Sequence, residues 1–495
     1  MTTLMMTLNA IARKSPNKVA VIGKQHVLSY GELVNEVEKA AFLLQDYRGQ
    51  VVALLADNSP EWLIIDLAAK QAGVVLLPLP VYFTEAQIQH AMQSAAASVL
   101  IYQKQFEPVS WLTTSSVEAK VFGDYPLWWV PCPVWPAALL PVGTDKITFT
   151  SGSTGTPKGV CLSQDQQENV AQSLISMTGL HQPRHLAVLP LSTLLENIAG
   201  LYAPLLAGGE VVLMPITENG YLAGPQAFIQ TIDKVRPNTL ILVPELLGLL
   251  LNAVQSGWQP PASLTFIAVG GSRVSAELIN KTREFGLPVY EGYGLSEASS
   301  VVSLNSLRHD KPGTAGKILP HLKVTQEAGE IVVYGSQFLG YIGAPALKGQ
   351  ALHTGDIGKV DEEGFLHIQG RKKQLLISSY GRNISPEWIE SEVMSQPNIQ
   401  QCVVFGDAKP FCSALIFSTL SDAAVQQHLN RINQQLPDYA RIYRWYRLQQ
   451  PLRAEQGLLT ANGRPKRPAI YQKYQHIIEN FYQENDNDIL CDIAS

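Results

Sequence analysis

The chain has 495 residues, 46% hydrophobic and 16% charged, which excludes a single small binding module and leaves no room for a long solvated tail. Lys and Arg (37) nearly balance Asp and Glu (42), so the formal net charge is −5. This balance excludes a nucleic-acid partner, because no overall basic field is present to hold a phosphate backbone.

Cysteine use and the N-terminal sequence indicate a compartment. The five cysteines are widely spaced and include no CxxC pair, which is typical of reduced thiols in a cytoplasmic protein. The N-terminus lacks the features of a signal peptide. The longest uncharged tract, 126–143, holds five prolines and is expected to form a loop or extended arm, not a transmembrane helix. We expect a cytoplasmic protein and leave peripheral membrane contact open.

Helical and strand-like apolar patterns alternate through the first 300 residues. This alternation predicts an α/β fold in which helices cover parallel-rich sheets. Helices are predicted at 28–44, 60–73, 84–95 and 244–254, and strands at 51–56, 74–80, 98–102, 185–191, 209–214, 239–244, 264–271 and 288–294.

The pattern changes in the last third of the chain. Gly-centred turns separate short strand-like runs at 329–342, 358–370 and 373–378, which predicts a smaller β-rich portion. From residue 385 the order helix, strand, strand, helix predicts a small α+β domain. The organisation changes near Arg371.

The stretch KITFTSGSTGTPKGVCLS contains a loop of small residues with one lysine, Lys158. Backbone N–H groups of such a loop converge on phosphate oxygens, hydroxyls add donors, and the lysine adds a cation. It is not a Walker A loop, because Gly159 follows the lysine where Ser or Thr would hold magnesium. A flexible hairpin is the alternative interpretation.

Two further stretches carry candidate ligand-binding groups. VYEGYGLSEASS places Tyr293 and Glu297 at the end of a predicted strand, where open α/β sheets bind ligands; a carboxylate there suits magnesium. LHTGDIG places Asp356 in a predicted tight turn, where it could accept hydrogen bonds from a ribose, and Arg371 opens a GRKK run. The alternative interpretations are that Glu297 is a solvent-exposed residue, that Asp356 caps its own backbone, and that the GRKK run forms a solvated basic surface. His353 is expected to be structural, because no second histidine lies at metal spacing.

In order and wording, TSGSTGTPKG, EGYGLSE, HTGD and GRKKQLLISSYGRNISPEWIE resemble the signature motifs of the adenylate-forming superfamily of AMP-binding enzymes, which includes acyl-CoA synthetases. The resemblance runs from Leu28 to Arg467 and is closest to fatty acyl-CoA ligases. It implies a large, multi-subdomain N-terminal domain over 1–372, a small α+β lid over 373–495, and a hinge at Lys373.

The resemblance also implies cofactors and residue roles. ATP is expected between the two domains, with Mg²⁺ on Glu297 and coenzyme A, or the phosphopantetheine of a carrier protein, as acyl acceptor. Tyr293 is expected to pack on adenine, and Gly381 to help form a tunnel for the thiol. Lys158, Arg464 and Lys466 are the expected catalytic residues. The expected nucleotide-binding residues are Thr150, Ser151, Gly152, Ser153, Thr154, Gly155, Lys158, Gly271, Tyr293, Gly294, Ser296, Asp356 and Arg371.

The sequence departs from the family pattern near its C-terminus. The family normally has a catalytic lysine after a glycine, whereas LLTANGRPKRPAI has Arg464 at that place and Lys466 two residues later. Arginine keeps its charge but has a longer, planar fork, so the two residues are not interchangeable. We favour Arg464 over Lys466 as the substitute, with loss of the first half-reaction as the alternative.

The predicted activity is conversion of a medium- or long-chain fatty acid to acyl-AMP, with release of pyrophosphate, and then acyl transfer to coenzyme A. Thr193 stands where many acyl-CoA synthetases have an aromatic residue or His, which leaves the acceptor open. Amino-acid-activating relatives usually place an Asp in this region, because a buried substrate ammonium needs a paired anion. This stretch offers only Glu196, which is expected to face the helix, so it is mild evidence against an amino-acid substrate. The alternatives are an acyl-AMP ligase loading an acyl carrier protein, an enzyme that adenylates aryl or amino acids, and a nucleotide-binding homologue without catalysis.

Overall fold

The computed structural model of the protein describes residues 3–106, 120–150, 158–216, 224–335, 338–347, 351–460 and 463–483. In these residues, a large body extends to Arg371 and is followed by a smaller α+β part built on a three-stranded sheet. The α/β fold predicted from the sequence, with a large N-terminal and a small C-terminal domain, is therefore confirmed.

The first part of the chain follows the predicted alternation closely. Its strands and helices are α1 (Thr3–Lys14), β1 (Val19–Ile22), β2 (Val27–Ser29), α2 (Tyr30–Leu44), β3 (Val51–Leu55), α3 (Pro60–Ala72), β4 (Val75–Leu79), α4 (Glu85–Ser94), β5 (Val99–Tyr102), β6 (Lys120–Val121), β7 (Trp128–Pro131), β8 (Lys146–Thr150), β9 (Lys158–Leu162) and α5 (Gln164–Thr178).

The rest of the body continues this alternation and then becomes mainly β. A π-helical segment, Leu195–Tyr202, runs directly into α6. The strands and helices are β10 (Arg184–Ala187), α6 (Ala203–Leu206), β11 (Glu210–Leu213), α7 (Pro225–Val235), β12 (Thr239–Leu242), α8 (Pro244–Gln255), β13 (Phe266–Val269), α9 (Ala276–Glu284), β14 (Val289–Tyr293), β15 (Ser303–Leu304), β16 (Lys317–Ile318), β17 (Lys323–Glu327), β18 (Glu330–Tyr334), β19 (Gly340–Tyr341), β20 (Leu352–Val360) and β21 (Leu366–Arg371).

The C-terminal part has the predicted order of helix, strand, strand and helix. Strands β24 and β25 pair antiparallel, and a further strand, β26, pairs parallel to β25. The strands and helices are β22 (Leu376–Ile377), β23 (Asn383–Ile384), α10 (Pro386–Val393), β24 (Ile399–Phe405), β25 (Cys412–Ser418), α11 (Asp422–Gln435), β26 (Ile442–Arg447) and α12 (Arg467–Asn480).

Two mixed sheets with parallel centres dominate the body. One has the order β19-β9-β8-β4-β3-β5-β7-β6, and the other the order β16-β15-β14-β13-β12-β10-β11-β1-β2. All residues of β3 and β4 are buried, as expected for strands covered by helices on both faces. Because ligands bind beyond the carboxyl ends of parallel strands, the end of β14 at Tyr293 marks the expected site. An antiparallel sheet, β17-β18-β20-β21, completes the body.

Local sequence signals explain where the helices begin and end. Ser29 caps α2 in a reciprocal capping box with Glu32, which satisfies two otherwise unpaired backbone donors. Ser59 caps α3 ahead of Pro60, and Gly73 ends α3 with φ of 71°, a backbone conformation that favours glycine.

A buried ion pair joins α3 to β8 inside the body. Lys146 Nζ lies 2.6 Å from Asp66 Oδ1, and both side chains are at most 1% exposed. Tyr202 donates to Asp66 Oδ2, and the Lys146 ammonium donates to Asn197 and Tyr202. Burial lowers the pKa of Lys146 to about 8, although the Asp66 carboxylate acts in the opposite direction. Each charge therefore depends on the other for compensation.

The described residues bear on two expectations, that the cysteines are unpaired thiols and that the chain has no transmembrane helix. Cys132, Cys161, Cys402 and Cys412 are free thiols, whereas Cys491 lies outside the described residues. Within the described residues, every helix is too short or too polar to traverse a bilayer.

Candidate active site

Asp356 and Arg371 face each other on neighbouring strands, β20 and β21. Arg371 Nε lies 2.8 Å from Asp356 Oδ1, and the Tyr293 hydroxyl donates to Asp356 Oδ2. Burial raises the pKa of the Asp356 carboxyl, and Arg371 opposes that rise. Each carboxylate oxygen has a further lone pair, so Asp356 can still accept a hydrogen bond from a sugar hydroxyl. Three sequence-predicted residues therefore lie together.

The HTGD segment differs from the tight turn that its sequence suggests. It lies inside strand β20, and Gly355 has φ of 74°, which bends the strand locally. The Thr354 hydroxyl accepts a hydrogen bond from Asp356 N at 3.1 Å, and Glu330 accepts one from Gly355 N. Pairing with β21 keeps the segment extended and places Asp356 opposite Arg371.

Arg464 of the C-terminal part lies close to the Asp356–Arg371 pair of the body. Its guanidinium donates to the backbone carbonyl of Gly271, and the nearby charged groups that act on it include Arg371, Glu387 and Asp356. Gly271 has φ of 88°, which favours glycine at this position. The structure thus brings the family's lid position to the predicted ribose-binding residues.

Lys466 lies two residues further on, immediately before α12. The backbone N–H of Lys466 donates to the Leu458 carbonyl, and Lys466 is the N-cap residue of α12. Among the described residues its ammonium forms no ion pair. The placement of the two side chains supports the preference for Arg464, which stays a prediction.

The predicted anion loop is held at both ends by paired strands. Thr150 on β8 is the cross-strand partner of Lys158 on β9, so the two residues that flank positions 151–157 lie side by side. Lys158 is exposed. The remaining predicted phosphate-binding residues, Ser151, Gly152, Ser153, Thr154 and Gly155, lie outside the described residues.

Glu297 lies close to Lys158, although 139 positions separate them in the sequence. Tyr341 joins them: its hydroxyl donates to Glu297 Oε1 at 2.8 Å, and Lys158 Nζ lies 5.5 Å from its ring centroid. Gln166 donates to the Glu297 backbone carbonyl at 3.0 Å. The candidate metal ligand and the candidate phosphate cation therefore share one neighbour, Tyr341.

The donor set at Glu297 fits Mg²⁺ bound together with a nucleotide. The described residues hold no group of three His, Cys, Asp or Glu side chains placed for a metal ion. Mg²⁺ commonly takes one or two protein carboxylates and completes its shell with water and substrate phosphates. Glu297, with Oε2 unpaired in the described part of the chain, can serve as that carboxylate.

The turn between β14 and Glu297 depends on a close backbone approach. A Cβ at Gly294 would lie 1.5 Å from the Ser300 carbonyl oxygen, so only glycine fits there. Ser296 begins a short 3₁₀ turn that ends at Ala298. Ser299 and Ser300 then adopt positive φ, and their buried hydroxyls have no hydrogen-bond partner among the described residues.

The predicted hinge and thiol-tunnel residues lie in the C-terminal connection. Lys373 is the middle residue of a 3₁₀ turn, 372–374, that follows β21 directly. Gly381 lies in the exposed turn between β22 and β23, with φ of 73°. Both assignments stay predictions, as does the division of the chain at residue 372.

The segment that carries Thr193 and Glu196 is more enclosed than its sequence suggests. Glu196 is fully buried, and its Oε1 lies 2.7 Å from His185 Nε2. It also accepts a hydrogen bond from the backbone of Leu189. These partners hold Glu196 within the core, and the expectation that the substrate is not an amino acid stays a prediction.

Two residues of the site were missed by sequence reasoning. Tyr341 lies in a weakly patterned run, GSQFLGYIGA, and only pairing of β19 with β9 brings it to Lys158. Arg273 follows Gly271 by two residues, and its guanidinium donates to the carbonyl of Ile368 at 2.8 Å. The one signal for Arg273 in the sequence is its position two residues after Gly271.

Comparison with known proteins places the chain among characterised relatives. The sequence profile described as AMP-binding enzyme matches residues 8–342, and that of the AMP-binding enzyme C-terminal domain matches residues 373–486. The chain is 30% identical over 432 residues to a feruloyl-CoA synthase of Amycolatopsis sp, covering 81% of this chain and 84% of that protein.

A second relative and a solved structure extend the comparison. The chain is 29% identical over 459 residues to the long-chain-fatty-acid–CoA ligase FadD15 of Mycobacterium tuberculosis, covering 78% of this chain and 76% of that protein. The crystal structure of the anthranilate CoA ligase AuaEII with anthranoyl-AMP superposes with a TM-score of 0.80 at 20% identity, covering 95% of this chain and 96% of that one. This last similarity concerns the fold.

Proposed function

Because the chain belongs to the AMP-binding enzyme family and is an acyl-CoA synthetase-like enzyme, we propose that it activates a carboxylic acid and transfers the acyl group to coenzyme A. The supporting observation is the convergence of Asp356, Arg371 and Tyr293 from the body with Arg464 from the C-terminal part. We propose that the nucleotide binds where these residues converge, at the contact between the two parts.

In the first step a substrate carboxylate oxygen attacks the α-phosphorus of ATP. The new O–P bond forms as the bond to the pyrophosphate oxygen breaks, which leaves acyl-AMP and pyrophosphate. We propose that Asp356 and Arg371 hold the ribose, that Tyr293 packs on adenine, and that Arg464 offsets the charge of the phosphate. Catalysis of this kind consists chiefly of positioning and charge stabilisation.

The phosphates are assigned to the loop between β8 and β9. We propose that Thr150 to Gly155 and Lys158 bind them, together with Gly271, Gly294 and Ser296 around the nucleotide. Magnesium, when bound, would neutralise phosphate charge, and Glu297 would hold it on the protein side. Without such compensation the negative phosphates repel the incoming carboxylate.

In the second step a thiol replaces AMP on the activated carbonyl. The S–C bond forms, the C–O bond to AMP breaks, and the thiol proton passes to solvent. We propose that the C-terminal part turns about Lys373 and admits the thiol beside Gly381; motions of this kind gate many two-step enzymes. Coenzyme A is the preferred acceptor over a carrier-protein phosphopantetheine, because the relatives are CoA ligases.

The acid is proposed to be aryl or arylpropenoic, with a medium- or long-chain fatty acid as the second candidate. A feruloyl-CoA synthase is among the most similar relatives. The fatty-acid alternative is supported by the relative FadD15. The Leu-rich segment of α8 does not discriminate, because Leu247, Leu250 and Leu251 pack in the core.

A panel of acids tests this proposal. Purified protein with ATP, Mg²⁺ and coenzyme A is given ferulate, cinnamate, anthranilate, octanoate or palmitate, and pyrophosphate and thioester are measured. Acid-dependent release of both is expected, with the aryl acids giving the higher kcat/KM. Glu297→Gln is expected to abolish pyrophosphate release while leaving Tm unchanged. ATP binding without pyrophosphate release for every acid would favour a non-catalytic nucleotide-binding protein instead.

A further inference from the structure

Tyr341 makes two contacts with the residues proposed to hold the metal and the phosphates. Its hydroxyl donates to Glu297 Oε1 at 2.8 Å, and its ring faces the Lys158 ammonium, with 5.5 Å between Nζ and the ring centroid. The three residues come from β19, from β9 and from the 3₁₀ turn after β14. Without Tyr341, no described side chain would join the Glu297 carboxylate to Lys158.

We propose that Tyr341 is a positioning residue that orients the Glu297 carboxylate for a nucleotide-bound divalent cation and holds Lys158 beside it. The inference rests on the proposed function, since it concerns the same nucleotide site. A carboxylate on a short turn samples several rotamers, and a hydrogen bond to one oxygen selects the rotamer that directs the other oxygen outward. The positive ammonium over the electron-rich ring face adds a weaker attraction.

The surroundings of Tyr341 make it a rigid support. Its backbone pairs with Val160 of β9, the same strand that begins with Lys158. Its ring packs edge-on against Phe338, with centroids 5.1 Å apart. Ile342 closes the strand pairing by donating to the Gly159 carbonyl at 3.0 Å. Since the ring is fixed by packing and the backbone by β pairing, the hydroxyl is held before any ligand arrives, which lowers the cost of ordering Glu297.

The geometry leaves Glu297 able to bind a cation. Tyr341 occupies Oε1, whereas Oε2 has no partner among the described residues. The backbone of Glu297 is held separately, because Gln166 donates to its carbonyl at 3.0 Å. The side chain and the main chain of Glu297 are therefore fixed by two different residues.

The test compares Tyr341→Phe with a matched control, Tyr334→Phe. Tyr334 also donates to a glutamate, at 2.7 Å to Glu327 Oε1, but lies exposed on β18 outside the site. Tyr341→Phe keeps the ring for Lys158 and Phe338 and removes only the hydroxyl. Binding of Mn²⁺ to the full chain with a non-hydrolysable ATP analogue is measured by electron paramagnetic resonance, alongside Tm and the Mg²⁺ dependence of pyrophosphate release.

Tyr341→Phe is expected to weaken Mn²⁺ binding by about tenfold, the loss of one hydrogen bond to a charged group, with Tm unchanged. The Mg²⁺ concentration for half-maximal pyrophosphate release should rise in proportion, and saturating Mg²⁺ should restore kcat. In a Glu297→Gln background Tyr341→Phe should add nothing, because the hydroxyl acts through that carboxylate. Tyr334→Phe should match the wild type throughout.

The outcomes separate this inference from the proposed function. If the wild type releases pyrophosphate and Glu297→Gln loses Mn²⁺ while Tyr341→Phe binds it like the wild type, the positioning role is wrong and the function stands. If Tyr341→Phe lowers kcat equally at all Mg²⁺ concentrations, Tyr341 acts elsewhere and the inference also fails. If the wild type binds no Mn²⁺ with the nucleotide analogue, both the inference and the proposed metal site are overturned.

Discussion

Asp356 and Arg371 are cross-strand partners whose charged groups meet at 2.8 Å. The carboxylate is buried, whereas the side chain of Arg371 is 41% exposed. The Arg371 guanidinium is therefore accessible from solvent, and the Asp356 carboxylate lies fixed beneath it. A nucleotide ribose could contact a hydrogen-bond donor on Arg371 and an acceptor on Asp356 without any change in the sheet.

Asp356→Asn tests the proposed ribose contact. The substitution keeps the shape of the side chain but removes the charge that pairs with Arg371, so the KM for ATP should rise about 10- to 100-fold, as for a lost hydrogen bond to a charged group. Asp361→Asn is the control, because Asp361, directly after β20, pairs with Lys311 and with His367 of β21. An unchanged KM for ATP in Asp356→Asn would remove this residue from the nucleotide site.

Arg464→Ala and Lys466→Ala decide which cation replaces the family's lid lysine. Arg464 contacts Gly271 beside the nucleotide cluster, so Arg464→Ala should lower acid-dependent pyrophosphate release by about 100-fold or more, as for a lost donor to developing charge. Lys466→Ala should retain most activity, and Arg464→Lys should restore part of it. Full activity in Arg464→Ala together with loss in Lys466→Ala would reverse the assignment.

Glu291 is expected to make stability depend on pH. Burial raises its pKa to about 8, although Arg273 and the Val274 backbone oppose that rise. Between pH 4.5 and 8 the folded protein therefore binds more protons at this site than the unfolded chain does, and stability falls as pH rises. In urea unfolding, the advantage of the wild type over Glu291→Gln should shrink from pH 5 to pH 8.

The matched control for Glu291 is Glu284→Gln, on the exposed surface of α9. Its difference from the wild type should be the same at pH 5 and pH 8. A constant difference for Glu291→Gln as well would show that the carboxyl titrates alike in the folded and unfolded states.

Lys146→Met should be strongly destabilising because it leaves Asp66 buried without its counterion. We expect a loss of about 3 to 5 kcal/mol in the free energy of unfolding. Lys39→Met, which removes an exposed ion pair with Glu36, should cost far less, because solvent screens exposed ion pairs. Adding Asp66→Asn to Lys146→Met should recover part of the loss. Equal stabilities for Lys146→Met and Lys39→Met, measured by urea unfolding, would contradict the importance of the buried pair.

Hydrophobic periodicity predicted most of the body because local apolar patterns report burial directly. The segment VVALLA became β3, and LSYGELVNEVEKAAFLL became β2 and α2, joined by a capping box at Ser29. The prediction for the HTGD segment was wrong. Its glycine suggested a turn, but pairing with β21 held Asp356 within a strand.

The sequence by itself determined the fold class, the order of its elements and the family, because each depends on local pattern or on linear motifs. Only the tertiary structure decided which distant groups meet: Tyr341 with Glu297, Arg464 with Gly271, and Lys146 with Asp66. The physical reason is that β pairing and lid placement join segments far apart in sequence. A side chain's charge and hydrogen-bonding capacity are visible in the sequence, but its partner depends on how the sheets and the C-terminal part pack.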